Sequence, residues 1–252
     1  METRTGIEVA GLTDVGCQRE NNEDSFSYWE PRDETEFERR GRLAVIADGM
    51  GGYEGGQEAS RLAVETVLEV YRQTSTLDVQ VSLIHALTAA HIRILRFADA
   101  HPELQGMGTT CTALSITGDR LHFAHVGDSR LYLVRGAQIS RLTKDHSYVG
   151  RLVDSGILSA EEAEAHPQRH ILTAALGAGS EVIPDFPESA IELQPDDTVI
   201  LCTDGLWGMV KEGEIRDIAT ERPATKACQR LIDLARKRGG PDNITVQVIH
   251  LG

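Results

Sequence analysis

Three mostly apolar stretches, LeuAlaValIleAla (43–47), PheAlaHisValGly (123–127) and ValIleLeuCysThr (199–203), each run directly into an aspartate: Asp48, Asp128 and Asp204. A strand without polar alternation is covered on both faces, so these stretches call for layers above and below a sheet. Each aspartate then stands where a covered strand comes to its end. A fourth, Asp242, sits in GlyGlyProAspAsn just before the last apolar stretch, Ile244 to Leu251.

The remaining segments fit that frame. Glu8 to Thr13, Ser25 to Trp29 and Thr198 to Cys202 read as strands, with Glu30 to Gly41 as a charged hairpin loop. Apolar positions recur at helical spacing from Gly55 to Arg72 (Ala59, Leu62, Ala63, Val67, Val70) and from Val79 to Phe97 (Leu83, Leu87, Ala90, Ile94). After Gly106 and Gly108, Thr110 to Ile116, Leu121 to Val126, Leu131 to Val134 and Gln138 to Leu142 predict an antiparallel meander. The polar stretch 145–186 does not alternate and reads as a flap laid on the sheet, since long non-sheet insertions in compact domains are usually functional. Pro223 opens a helix that runs through Arg238, with Gly239 and Gly240 past its end. Strand blocks segregated from helix blocks predict an α+β fold: a four-layer α-β-β-α sandwich of two antiparallel sheets flanked by helices. At 252 residues without a linker or repeat, the whole chain 1–252 is expected to be one domain containing the 145–186 flap subdomain.

Charge narrows the function. With 25 Lys+Arg against 39 Asp+Glu, the formal charge is −14, which excludes a basic nucleic-acid grip. No run approaches about 18 consecutive apolar residues, and MetGluThrArgThrGly lacks a signal-peptide core, so a cytoplasmic protein without a membrane partner is expected. Cys17, Cys111, Cys202 and Cys228 are far apart and read as free, buried thiols.

Turn propensity alone accounts for any single AspGly or ProAspAsn, because Asp and Gly supply the backbone angles of tight turns. Four of them, most at the ends of near-buried runs, need a positive partner. Lys occurs only at 144, 211, 226 and 237, and no Arg cluster lies beside the aspartates, which leaves divalent cations. All-oxygen ligation selects Mg2+ or Mn2+ over zinc. Gly49, lacking a side chain, lets its backbone carbonyl approach an ion. ArgGluAsnAsnGluAsp (19–24) offers Glu23 and Asp24 to complete a shell and Arg19 as a planar fork for phosphate; such a charge run otherwise reads as a solvated loop. His166 and His170 are separated by Pro167 without an HExxH pattern, so zinc is set aside, and His122 and His125 read as partnered or edge histidines of a strand.

In this order the residues resemble the metal-dependent serine/threonine protein phosphatases of type 2C, and specifically their bacterial branch. The resemblance is carried by ThrAspValGly (13–16) with Arg19 and Asn22-Glu23-Asp24, AlaAspGlyMetGlyGly (47–52), GlyMetGlyThrThr (106–110), ValGlyAspSerArg (126–130), LeuThrLysAspHisSer (142–147), HisProGln (166–168), ThrAspGlyLeuTrp (203–207) and GlyGlyProAspAsnIleThrVal (239–246). It implies hydrolysis of phosphoserine and phosphothreonine in proteins, reversing a cognate serine/threonine kinase. It further implies that Asp48 bridges two metal ions, the Gly49 carbonyl ligates one, and Asp204 and Asp242 hold the other. Glu23 and Asp24 would act through metal-bound waters or hydrogen bonds, Asp128 with Asp204 would form a third-metal site, and Arg19 would grip the phosphate. Two ions about 3.5–4 Å apart can share a water and lower its pKa for in-line attack on phosphorus.

One position departs from the eukaryotic members: Met50 stands where they carry a His after AspGly. The proton for the leaving oxygen would then come from a metal-bound water, from His146 or His170, or from no group at all. A monomer with no nucleic-acid partner is expected. Two other readings stay open, a catalytically silent relative that binds metal or a partner, and a metal phosphatase acting on a small metabolite.

Overall fold

The computed structural model describes residues 6–51, 54–76, 78–164 and 166–252. The chain opens with β1 (Ile7–Asp14) and β2 (Asp24–Trp29), then α1 (Glu34–Arg40) and β3 (Arg42–Met50). Two long helices follow, α2 (Gly55–Gln73) and α3 (Val79–Ala100), and then β4 (Gly108–Thr109), β5 (Cys111–Thr117), β6 (Arg120–Val126), β7 (Arg130–Arg135) and β8 (Gln138–Arg141). The second half holds α4 (Tyr148–Asp154), α5 (Ala160–Glu164), β9 (Ile191–Glu192), β10 (Thr198–Cys202), α6 (Asp204–Trp207), α7 (Glu212–Ala219), α8 (Ala224–Lys237) and β11 (Ile244–Leu251).

All sheet pairings are antiparallel. One sheet has the order β1-β11-β10-β7-β8 and the other β2-β3-β5-β6-β9, with β4 paired to the end of β3. The unbroken apolar strands behave as their composition demands. Leu43, Val45 and Ala47 of β3 pack on Leu62, Val67, Leu83 and Leu87 of α2 and α3. The alternate residues Ala44 and Ile46 meet Leu131, Val199, Leu201 and Ile249 of the facing sheet. On the far side, Ile200, Cys202 and Val248 pack against Leu231, Ile232 and Ala235 of α8 and Ile215 of α7. Three separate apolar cores between four layers establish the α-β-β-α sandwich. Helix α3 is long and apolar enough by composition to cross a membrane, yet its Leu83, Leu87, Ala90 and Ile94 are fully buried in the first core.

Four local expectations are corrected. The charged stretch 30–41 is not a plain loop: Asp33 caps α1 by accepting from the Glu36 amide at 2.9 Å, acidic residues occupy the first turn and basic ones the last. Strand β3 continues through Asp48 to Met50 instead of stopping at Ala47. The predicted four-strand meander is two hairpins in different sheets, β5–β6 in one and β7–β8 in the other. The chain crosses between them at Gly127–Asp128–Ser129, where Gly127 has φ +110° and a Cβ would lie 2.5 Å from Thr110. Finally, three of the cysteines are buried but Cys17 is exposed on the loop after β1.

The 145–186 segment holds α4 and α5 and is tied to the body by backbone bridges Ser147–Leu172, Thr109–Leu176 and His125–Asp185. Gly52, the last residue of the 47–52 stretch, lies outside the described residues.

Candidate active site

Antiparallel pairing of β1 with β11 sets Asp14 opposite Ile244 at one rim of the sandwich. The loop after β1 interlocks with the loop before β11: the Cys17 amide donates to the Gly240 carbonyl (2.8 Å), and the buried Asn243 Nδ2 donates to the Val15 (3.0 Å) and Asn21 (2.9 Å) carbonyls. Asn243 Oδ1 accepts from the Glu23 amide at 2.8 Å. Only glycine fits at position 16, because a Cβ there would sit 2.1 Å from the Asp242 carbonyl. These contacts set Arg19, Glu23 and Asp242 side by side. Asp242 is held twice, its Oδ1 accepting from the Asn243 amide (2.9 Å) and its Oδ2 from Arg19 Nη2 (2.8 Å).

The other carboxylates come from the two sheets. Asp24 and Asp48 are directly opposite one another in the β2–β3 pair. The Asp48 amide donates to the Thr110 hydroxyl oxygen (2.9 Å), and the Asp48 carbonyl accepts from the Thr110 amide (2.8 Å) and the Thr109 hydroxyl (2.9 Å). Next to it, a Cβ on Gly49 would lie 2.1 Å from the Gly56 carbonyl oxygen, so the start of α2 packs directly on this backbone. Asp204 opens α6 at the end of β10, and the crossing between sheets carries Asp128, whose carbonyl accepts from Trp207 Nε1 at 3.0 Å. Arg130 lies over the Trp207 ring, 3.6 Å from its centroid, and makes a two-pronged contact with Asp145 (3.1 and 2.7 Å). Trp207, Arg130 and Asn243 belong to the recognised motifs, but their positioning roles are visible only in three dimensions.

Arg19, Glu23, Asp48, Gly49, Asp128, Asp204 and Asp242 line one cleft of about 670 Å³. Asp24 is the exception among the expected residues. It lies beneath the cleft with Oδ2 accepting from the hydroxyls of Thr203 (2.9 Å) and Thr245 (2.5 Å), so it joins one sheet to the other. Thr245 is one of three polar residues in β11, with Gln247 and His250, and nothing local in the sequence marks it as the one that reaches Asp24. Of the two flap histidines, His170 reaches the cleft, with Nδ1 3.9 Å from Asp204 Oδ2. His146 instead lies against the backbone of Gly127 and pairs with Asp185 at 3.1 Å.

Electrostatics show what this arrangement lacks. Burial pushes the Asp48 carboxyl well above the usual carboxylate range, and Asp24, Asp204, Asp128 and Asp242 add to the shift. Asp128 is raised in the same way, by burial and then by Asp204 and Asp145, against the pull of Arg130. Asp24 is raised to about 7 by burial, although its two hydroxyl donors oppose the shift. Asp24 Oδ1 and Asp204 Oδ1 are both buried without a hydrogen-bond partner. Among the described residues no three His, Cys, Asp or Glu side chains close into a ready ligand cluster; the carboxylates face a shared space. Mutually repelling carboxylates with orphaned oxygens and an all-oxygen donor set fit hard divalent cations.

Comparisons with known proteins agree with this geometry. The family described as protein phosphatase 2C matches residues 18–246. Protein phosphatase PhpP of Streptococcus pneumoniae is 38% identical over 250 residues, covering 97% of this chain and 98% of its own. Among solved structures, the S. agalactiae serine/threonine phosphatase superposes with a TM-score of 0.88 at 34% identity, covering 98% of this chain and 100% of that one. The catalytic domain of the phosphatase PstP, solved in complex with two manganese ions, gives 0.84 at 34% identity and covers 98% of each chain. A match of that extent, on a four-layer sandwich with the motif aspartates gathered at one rim, places the chain in the protein phosphatase 2C family.

Proposed function

We propose that this chain hydrolyses phosphoserine and phosphothreonine in proteins at the carboxylate cleft, in a reaction that depends on divalent metal. The observation that carries the reading is the convergence of Asp48, Asp128, Asp204 and Asp242 with Arg19 in one cleft, where Asp204 Oδ1 has no partner of its own. Asp48, the Gly49 carbonyl, Asp204 and Asp242 would hold two ions, Mg2+ or Mn2+, and Asp128 with Asp204 a third; the manganese complex of PstP supports the two-ion count. Such ions supply Lewis acidity and a water acidic enough to attack phosphorus near neutral pH.

The chain's own groups do the rest. Arg19 is half exposed and uses only Nη2 on Asp242, so its remaining nitrogens can take two phosphoryl oxygens and orient the ester for in-line attack. Glu23, anchored through its backbone amide to Asn243, faces the cleft as an acceptor for ordered water. Asp24 supports the floor from below through Thr203 and Thr245. Met50 contributes an apolar wall and no proton.

In this reading the protein works in the cytoplasm as a monomer and opposes a serine/threonine kinase. Phosphate release from p-nitrophenyl phosphate and from a phosphothreonine peptide, with Mn2+ and with EDTA, tests the activity. Release with Mn2+ and none with EDTA is the expected result, and no release from either substrate with Mn2+ refutes it. A mass measured by light scattering checks the monomer.

A further inference from the structure

The catalytic cleft does not end at its own wall. Met50 and Leu172 line it and also line a second hollow of about 660 Å³ against the 145–186 segment. The apolar part of that hollow comes from Met50, Leu172, Ala174, Ala178 and Val182. Lys144, Ile183 and Asp185 belong to it and equally to a third hollow of about 420 Å³, whose apolar lining includes Phe123, Leu142, Phe186 and Ile191. Cleft and hollows therefore stand in a row with shared walls.

Two features of the row point to a ligand that is a polypeptide. The first is exposed apolar surface where a soluble domain would bury it: Ile183 is 81% exposed on the ridge between the hollows, and Phe186, one of only five phenylalanines, is 50% exposed. The second is that the walls are fixed. The three backbone bridges of the segment place Leu172 against Ser147, Leu176 against Thr109 and Asp185 against His125, the last with N–O distances of 2.9 and 2.8 Å in the two directions. A preformed groove binds without the cost of ordering its own loops. The same hollow also carries Lys144 and Arg151 with four carboxylates, Asp145, Asp154, Glu181 and Asp185, of which Asp145 pairs with Arg130 and Asp185 with His146.

We propose that the two hollows are a docking track for the substrate polypeptide on one side of the phosphorylated residue, accepting apolar side chains behind Met50 and beyond Ile183. Continuity with the cleft selects this occupant: a chain whose phosphoresidue lies among the carboxylates must leave over a wall, and the Met50–Leu172 wall has a hollow with an apolar side directly behind it. An extended substrate turns alternate side chains to the same face, so two anchors two residues apart suit two neighbouring hollows. The proposal rests on the protein-phosphatase reading above.

Steady-state kinetics on p-nitrophenyl phosphate, on a phosphothreonine peptide flanked by alanines, and on the same peptide with leucine scanned through the flanks test it. The wild type should prefer leucine at one or two flanking positions by roughly tenfold in kcat/KM, mostly through KM. Ile183→Asp and Ala178→Trp should each remove that preference and leave p-nitrophenyl phosphate turnover within about twofold of wild type. Both positions are exposed, and circular dichroism verifies that both variants fold. If p-nitrophenyl phosphate is hydrolysed but no leucine preference exists, or the variants retain it, the track is refuted and the phosphatase reading stands. If no substrate is turned over, the phosphatase reading fails and the track with it. If Ile183→Asp dissolves a dimer seen by light scattering and the preference is unchanged, the occupant is a second copy of the chain and the proposal is overturned.

Discussion

Replacing Arg130 by methionine isolates the support beneath the Asp128 crossing. The guanidinium makes two bonds to Asp145, a third to the Tyr132 hydroxyl at 3.2 Å, and covers the Trp207 ring. Its side chain is 11% exposed and that of Asp145 14%, so little water would replace what is lost. Removing one member of a buried ion pair costs about 3–5 kcal/mol, chiefly because the other charge is left without its partner. Asp145 retains Arg141 at 3.3 Å, which places the expected loss at the lower end, about 3 kcal/mol. A chain of this size loses about 2–4 °C in Tm per kcal/mol, so the melting point should fall by roughly 6–12 °C. The double variant Arg130→Met/Asp145→Leu should recover to within about 1 kcal/mol of wild type, because exchanging a whole buried pair for apolar groups is close to neutral. Thermal melts of wild type, both single variants and the double variant in EDTA provide the cycle. A double variant no more stable than Arg130→Met, or a single-variant drop below about 2 °C, would refute the reasoning.

Asp204→Asn and Asp242→Asn should each lower kcat on p-nitrophenyl phosphate by more than the roughly 10–100-fold that losing an outer partner of a metal ligand costs, with the circular dichroism spectrum unchanged; wild-type rates in either variant would remove that residue from the site. Asp128→Ala should raise the Mn2+ concentration needed for half-maximal rate, and an unshifted metal titration would count against a third ion. The raised carboxyls fix a pH dependence: Asp24, at about 7 in the folded protein and near 4 unfolded, binds its proton more tightly when folded. Metal-stripped protein should therefore lose stability as pH rises from about 4 to 7, with Asp48 and Asp128 contributing in the same direction, and a Tm that rises across that window in EDTA would contradict the shifts. Two glycines should respond oppositely to alanine. Gly205, where a Cβ would meet the Asn243 carbonyl at 1.9 Å, should be strongly destabilised, while Gly213, with open space in α7, should gain up to about 1 kcal/mol; chemical denaturation of both variants decides this.

What the sequence revealed followed from burial. Continuous apolar strands such as 43–47 and 199–203 can sit only between layers, and β11 was legible to its last residue because every one of its positions is buried. The motif aspartates were legible for the same reason, as charges at the ends of covered strands. Helix α1 was not, because it buries none of its residues and so has no apolar period to detect; capping and charge hold it. The split of the meander was hidden because a turn at Gly127–Ser129 looks the same whether the next strand joins the same sheet or the facing one. Pairings such as Arg19–Asp242 and Thr245–Asp24 join residues more than two hundred positions apart, a separation that no local pattern encodes. Residues 203 and 245 were threonines in apolar surroundings, and only the docked sheets disclose that both donate to one buried carboxylate.

Strand β11 pairs with β1 along its whole length and with β10 on its other edge, so a strand about 230 positions from β1 in sequence lies beside it inside the sheet. Synthesis runs from the N-terminus, and until residues 242–251 have left the ribosome Asp242, the Asn243 clamp and the Thr245 support for Asp24 do not exist. A nascent chain can form the β2–β3–β5–β6 half with its helices and still have no floor under the cleft. The cleft is therefore complete only once β11 has docked, and because the contacts that complete it join residues more than two hundred positions apart, that docking carries a large loop-closure cost.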